Sequence, residues 1–298
     1  MQVFLGAVSL GLLWSLMTIG VYISFRILDM ADMSVEGTLP LGAAVACTLI
    51  TQGVDPYLAS LCSLGCGALA GLVTGLLHTK LKIPALLSGI LTMISLWSIN
   101  LRVMGGKPNL SILRMPTVFQ PLVKWGMDKN TAVIVVGVVA ALGLITALYW
   151  FFGTEVGCAI RATGNNQKMV RAQGVNTDTM KIIGLMLGNA FAALSGALIA
   201  QNQNFADVQM GTGSIVIGLA SLIIGEVLFG KRHFYTRLLS LILGSIVYRL
   251  IIALVLEMGM PANDLKLFTA ITVALALWLP QGKLLLQTLK KSVRKEAA

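Results

Sequence analysis

Residues 157–176 read GCAIRATGNNQKMVRAQGVN, a basic segment rich in Asn and Gln and punctuated by three Gly. Uncharged apolar runs flank it at 130–152 and 182–202. A polar island inside so apolar a chain is a loop between two membrane spans, and that reading sets the register of everything else. The chain has 298 residues, 56% of them hydrophobic and only 11% charged, with a mean hydropathy of +0.85. Soluble domains run near about 25% charged, and a chain of this length needs a polar coat that so little charge cannot supply. Most of the surface therefore faces lipid.

A spanning helix takes about 20 apolar residues. Nine candidates follow, at 2–24, 37–54, 56–77, 83–104, 130–152, 182–202, 211–230, 236–257 and 265–285, and a count of eight to ten fits the pattern. The second is short and contains Pro40. The expected fold is all-α, a polytopic helical membrane protein. It forms one transmembrane domain over 1–298, with a polar loop at 153–181 and a basic tail at 286–298. A cleavable signal sequence is not expected, because the first 25 residues lack a basic start and their apolar run is of spanning length.

Lys and Arg orient the spans. With the C-terminus inside, the inner segments hold Arg26, Lys80, Lys82, Arg161, Lys168, Arg171, Lys181, Lys231, Arg232, Arg237, Lys283, Lys290, Lys291, Arg294 and Lys295, which is 15 of the 22 basic residues. Arg102, Lys107, Arg114, Lys124, Lys129 and Lys266 fall outside, and Arg249 lies within a span. This asymmetry absorbs most of the +10 net charge, so a nucleic-acid partner is not needed to explain it.

Small residues recur every four positions at Gly67, Gly71 and Gly75, and again at Gly184, Gly188, Ala192, Gly196 and Ala200. In lipid such stripes let helix backbones approach closely. Cys47, Cys62, Cys66 and Cys158 read as packing residues, since neither close pairing nor His and acidic neighbours point to a metal or a disulfide. The run GEVLFGKR at 225–232 imitates a nucleotide-binding loop but places Arg232 where Ser or Thr should hold Mg²⁺, and it follows an apolar helix instead of a strand. His78 and His233 fall in inner loops, and no nucleophile, base and orienting acid can be assembled. The residues do not recommend an enzyme.

Within the opening segment, Asn165 and Asn166 are good N-caps for a short helix over QKMVRAQ. Gly174 can end that helix in the left-handed conformation, and Thr177 or Asp178 can cap the next span. Met169, Val170 and Ala172 would form an apolar side, with Lys168, Arg171 and Gln173 on the polar one. Such a helix can rest on anionic headgroups or dock on a protein.

GCAIRATGNNQKMVRAQGVNTDTMK resembles the cytoplasmic coupling loop of bacterial ABC importer permeases of the ribose and branched-chain amino acid group, with their G-x-A-x-R-A-x-G-x-N pattern. DMSVEGTLPLGAAVA (32–46), TKLKIPALLSGILTM (79–93) and SIVIGLASLIIGEVLFG (214–230) are similar to other segments of that family, in the expected order over roughly residues 10–285. Glu226 departs from the family, which often has a small residue there. The resemblance implies an importer pore made of two permeases, a homodimer, with two ABC ATPase subunits docked beneath and a solute-binding protein on the outer face. ATP and Mg would sit on the ATPase, and this chain would bind no cofactor and no metal. Residues 165–174 would lie in a cleft of the ATPase. The resemblance points to Arg161, Ala162, Gly164, Asn165, Asn166, Lys168, Arg171 and Gly174 as coupling residues, with Arg161 anchoring the loop, Gly164 permitting its turn, Asn165 capping and Arg171 contacting the partner.

Polar groups within spans are costly and tend to face a cavity. Ser34, Glu36 and Thr38, ahead of Pro40, are candidates for a broken helix that exposes backbone dipoles to solute. Asn189, Gln201 and Arg249 complete the candidate pathway set, with helix-to-helix hydrogen bonds as the competing role. The outer loop from Arg102 to Lys129 carries five basic residues, Asp128 and three Pro. It suits a binding-protein contact and a plain surface loop equally. The expected function is the permease subunit of an ABC importer in the bacterial inner membrane, with its C-terminus cytoplasmic. Amino acids, with aromatic ones suggested by resemblance to a short tryptophan- or tyrosine-type branch, are the expected cargo. Sugar or nucleoside import is the alternative, and an ion-coupled secondary transporter is disfavoured because the mid-span regions are nearly free of acidic relays.

Overall fold

The computed structural model describes residues 2–230 and 233–258, together with residues 267, 270, 271 and 274. Helix α1 (Gln2–Tyr22) runs on through a π-helical turn at Ile23–Ile27, and the pair makes one 26-residue span. The chain reverses over 28–34, with Asp29 left-handed at φ 55. It then enters α2 (Val35–Thr51), whose 17 residues rise only about 25 Å and so fall short of a bilayer core of about 30 Å. Helix α3 (Pro56–Thr79) starts on Asp55, whose carboxylate accepts the Tyr57 N–H at 2.8 Å, with Pro56 at the first helical position. Helix α4 (Ala85–Val103) returns across the bundle.

The loop beyond α4 carries strand β1 (Asn109–Ser111) and helix α5 (Gln120–Lys124). Next come α6 (Lys129–Phe152), α7 (Glu155–Asn165), α8 (Gln167–Ala172), α9 (Thr177–Gln203), β2 (Phe205–Asp207), α10 (Ser214–Phe229) and α11 (Phe234–Glu257). Among the described residues, seven helical segments are long and apolar enough to cross a membrane, and α2 is a shorter apolar eighth. They match the first eight expected spans within a few residues, which makes the molecule an all-α polytopic membrane protein. The ninth expected span, 265–285, and the tail 286–298 lie outside the described residues, four isolated positions apart.

Helices α1 and α9 form the centre, each 67% buried across its apolar window, whereas α4 at 28% lies at the periphery. Small residues explain why α9 can be central. A Cβ added to Gly67 would stand 2.5 Å from the Ala193 Cβ, and one on Gly75 would stand 3.0 Å from the Ile182 Cα. Gly42 of α2 meets the Ala193 carbonyl, and Gly196 of α9 meets the Leu39 carbonyl. The stripe read from the sequence is therefore a three-helix wedge of α2, α3 and α9, held by backbone contact where hydrocarbon gives no hydrophobic drive.

One expectation is corrected. Helix α2 is not broken near Pro40; it is continuous from Val35. Proline removes only the bond that would have reached the Glu36 carbonyl, and the Gly211 backbone packs against that carbonyl and the Pro40 ring. The loop from 102 to 129 is also more than irregular chain, because β1 pairs antiparallel with β2, Leu110 opposite Ala206. Three-residue strands carry too little alternation to be read from sequence. Residues 225–229 of the nucleotide-loop imitation lie in the last turns of α10.

Candidate functional site

Helices α7 and α8 form a hook between α6 and α9. Thr154 caps α7 by accepting the Gly157 N–H at 3.3 Å, and Glu155 adds an acid to the first turn, where the helix dipole favours one. Asn166 caps α8, its Oδ1 accepting the Met169 N–H at 3.1 Å. Gly174 follows with φ +85, the left-handed stop expected of it. Asn176 then caps α9, accepting from the Asp178 and Thr179 N–H groups at 3.1 and 3.3 Å.

These contacts revise several expectations. Asn165 is not an N-cap but the last residue of α7, because Thr154 starts a helix that runs through it. Thr177 and Asp178 do not cap α9, since Asn176 precedes them with a better-placed side chain. Gly164 does not sit in a turn. It lies within α7, and any Cβ there would strike the Ile27 carbonyl at the end of the π-helical turn. Of the three apolar residues expected on one side of α8, Val170 is buried while Met169 and Ala172 are exposed. A helix of six residues turns less than twice, so few of its side chains can face the bundle.

Arg161 and Ala162 lie on α7, and the Arg161 guanidinium stacks 5.1 Å from the centroid of Phe234 at the start of α11. Arg171 turns back to α9: Nε donates to Thr177 Oγ1 at 2.7 Å and Nη2 meets Asp178 Oδ1 at 2.8 Å. Gln167 donates to the same Thr177 oxygen at 3.2 Å. Lys168 and Asn165 stand exposed on the outer curve of the hook. The element is stiff, tied to α9 through side chains and to α1 through Gly164, and it displays polar groups outward.

A second polar constellation is enclosed by the bundle. Asn189, fully buried on α9, donates to Asp32 Oδ2 at 2.8 Å, and its Oδ1 accepts from Thr38 at 2.7 Å and Ser34 at 3.0 Å. Ser34 Oγ also lies against Asp32 Oδ1, so its single proton is shared between this oxygen and that of Asn189, and its backbone N–H donates to Asp32 Oδ1 at 2.9 Å. The structure thus unites Ser34, Thr38 and Asn189 and adds Asp32, which sequence reasoning missed. Its signal was an acid two residues before a Ser, the local pattern of a side-chain turn.

The other candidates lie apart. Gln201 accepts the Val118 N–H at 3.0 Å and donates to Ser60 at 2.9 Å, tying α9 to α3 and to the loop ahead of α5. The Arg249 guanidinium stacks over Trp14 at 4.3 Å, and its enclosed Nε has no hydrogen-bond partner among the described residues. Glu36 lies outside the buried cluster, half-buried beside the Gly213 and Ile215 backbone at the start of α10. Among the described residues, no group of His, Cys and acidic side chains is placed to hold a metal.

Residues 3–277 match the family described as branched-chain amino acid transport system / permease component. A tyrosine transport system permease protein of Clostridioides difficile (strain R20291) is 41% identical over 262 residues, covering 88% of this chain and 86% of that one. An uncharacterised protein of Rickettsia prowazekii (strain Madrid E) is 29% identical over 281 residues, 93% of this chain and 97% of its own. The ribose import permease protein RbsC of Escherichia coli (strain K12) is 27% identical over 201 residues, 65% of this chain and 60% of that one. No solved structure matches the chain. A family match over nearly the whole length, on a bundle of membrane-spanning helices with a capped polar hook between two of them, places this chain among the permease components of branched-chain amino acid type ABC importers.

Proposed function

We propose that this chain forms the translocation pathway of an amino acid importer whose cargo is tyrosine or a closely similar aromatic amino acid. The 41% identity to a tyrosine transport system permease over 88% of the chain carries this reading. The sugar alternative rests on a relative that is 27% identical over 65% of the chain.

Two copies would enclose the pathway, with two ABC ATPase subunits beneath and a solute-binding protein above. ATP and Mg belong to the ATPase in this scheme, and this chain holds no cofactor. The hook end faces the cytoplasm of a bacterial cell, and the C-terminus lies on the same side of the inner membrane. The hook's chemistry supports the coupling role. Thr154 and Asn166 each satisfy one N–H at the start of a helix of the hook, so the hook keeps its own shape and leaves few orphan donors for a partner to meet. Lys168, Asn165 and Asn166 lie exposed on its surface, where an ATPase cleft can take them. Closure of the ATPase pair then moves α8, and with it α9 through Arg171 and Thr177.

The test is uptake by proteoliposomes holding the permease, its ATPase and its binding protein. ATP-dependent accumulation of labelled L-tyrosine, undiminished by excess ribose, is the expected result. ATP-dependent uptake of a sugar in its place would overturn the cargo, and ATP hydrolysis by the permease alone would overturn the division of labour.

A further inference from the structure

We propose that the cavity beside Glu36 is an ammonium-recognising subsite of the pathway, selecting zwitterionic solutes with an aromatic or large apolar side chain. It rests on the amino acid reading above and deepens it, by naming the groups that read the cargo.

Depth comes first. Helix α2 ends at Thr51, followed by exposed Gln52 and Gly53. Counting back to Glu36 at about 1.5 Å per residue places its carboxylate about 22 Å below that end, inside a hydrocarbon core of about 30 Å. Glu36 is nonetheless only partly buried within the chain. An acid at that depth does not face lipid; it faces a water-filled cavity or a polar ligand. Beside it lies a cavity of about 340 Å³, large enough for a small solute.

The lining supplies the chemistry. Asn100 of α4 is 1% exposed and donates from Nδ2 to the Gly37 carbonyl at 3.1 Å, while its Oδ1 has no partner among the described residues. The bond to Gly37 fixes the first turn of α2, which carries Glu36, against α4. The backbone at Gly213 and Ile215, at the start of α10, lies beside the Glu36 carboxyl and leaves it acceptor capacity for a ligand. The Glu36 carboxyl is the acidic group of the cavity lining, and it suits a ligand group with N–H donors and a positive charge. An ammonium has three donors and no acceptor. Trp97, 44% exposed on the same wall, offers a ring for the cation or for stacking an aromatic side chain. The cavity lining contains no Lys, Arg or His among the described residues.

The test measures binding of labelled L-tyrosine to the permease–ATPase complex in nanodiscs, without the binding protein that would mask the permease's own preference. Competitors are tyramine, which keeps the ammonium and loses the carboxylate, and the des-amino acid 3-(4-hydroxyphenyl)propionate, which does the reverse. Tyramine is expected to compete and the des-amino acid is not. Glu36→Gln is expected to weaken tyrosine binding about ten-fold or more, the loss of a charged hydrogen bond. Trp97→Leu, at a half-exposed site that folding tolerates, is expected to weaken it several-fold and serves if Glu36→Gln fails to assemble. Equal competition by the des-amino acid, or unchanged binding in both variants, would overturn the subsite. Failure of the cargo reading looks different: the wild-type importer then accumulates no amino acid at all, whatever the variants do.

Discussion

The buried cluster around Asn189 and the hook around Asn166 are both Asn-centred and both polar, yet they dispose of their hydrogen bonds in opposite ways. Asn189, Asp32, Ser34 and Thr38 spend their polar atoms on one another, two helices and a reversal joined in a closed set. The hook spends its backbone groups on caps and leaves side chains to the solvent. A closed set fixes a packing arrangement, and an open one awaits a partner. The sequence reading placed members of both among functional residues, and only the accounting of bonds separates them.

The largest effect that would break this contrast is expected in the bundle. Asn189→Leu strips Asp32 Oδ2 of its donor while leaving the carboxylate buried, a loss of about 3 kcal/mol or more. Thermal unfolding in detergent checks it, and the exchanged pair Asp32→Asn with Asn189→Asp is expected to recover much of the loss. Full stability of Asn189→Leu would mean that the cluster is no structural keystone.

Next in size, Arg161→Glu with Asn165→Ala is expected to lower uptake about ten-fold, or about 1.4 kcal/mol of coupling, while the ATPase keeps turning over. Removing the guanidinium from Phe234 loosens the anchor of α7, and Asn165 lies on the exposed surface. Unchanged uptake would show that the hook is merely a connector.

Arg249→Leu sharpens the contrast from a third place. Replacing a stacked, enclosed cation by a shorter apolar group is expected to leave stability within about 1 kcal/mol, the lost packing on Trp14 being offset by relief of the buried charge. Uptake is expected to fall about three-fold, under 1 kcal/mol on the same scale, without loss of the ATPase from the complex. Normal uptake would leave Arg249 a packing partner of Trp14.

The smallest change is expected from Asp178→Ala, which removes an ion pair with Arg171 whose side chains are 56% and 37% exposed. Such pairs contribute about 0.5 kcal/mol or less, so a shift in melting temperature near the error of the measurement is the expected reading.

How much of this was legible in the sequence follows from distance along the chain. Asn166 and Gly174 were readable because a cap bonds within three residues and a left-handed stop needs one Gly. The role of Gly164 was not, because its constraint is the carbonyl of Ile27, more than a hundred residues away. Asn189 was found by its polarity within a span, but Asp32 lies 157 positions from it and looked like an ordinary loop acid. The β1–β2 ribbon joins segments 98 positions apart at Asn109 and Asp207, and no short window contains both. Apolar runs, by contrast, announced eight helices within a few residues, because lipid demands length and composition that any window can see.

Helix α9 begins one residue beyond the Asn176 cap and finishes beside Phe205 of the ribbon, a single rod of 27 residues and about 40 Å. Its waist is clamped by glycines against two neighbours, so it pivots more readily than it slides. On the proposed coupling role, a pull on the hook is carried along this one rod to its far tip beside the ribbon, so both ends of the helix answer to a single beam.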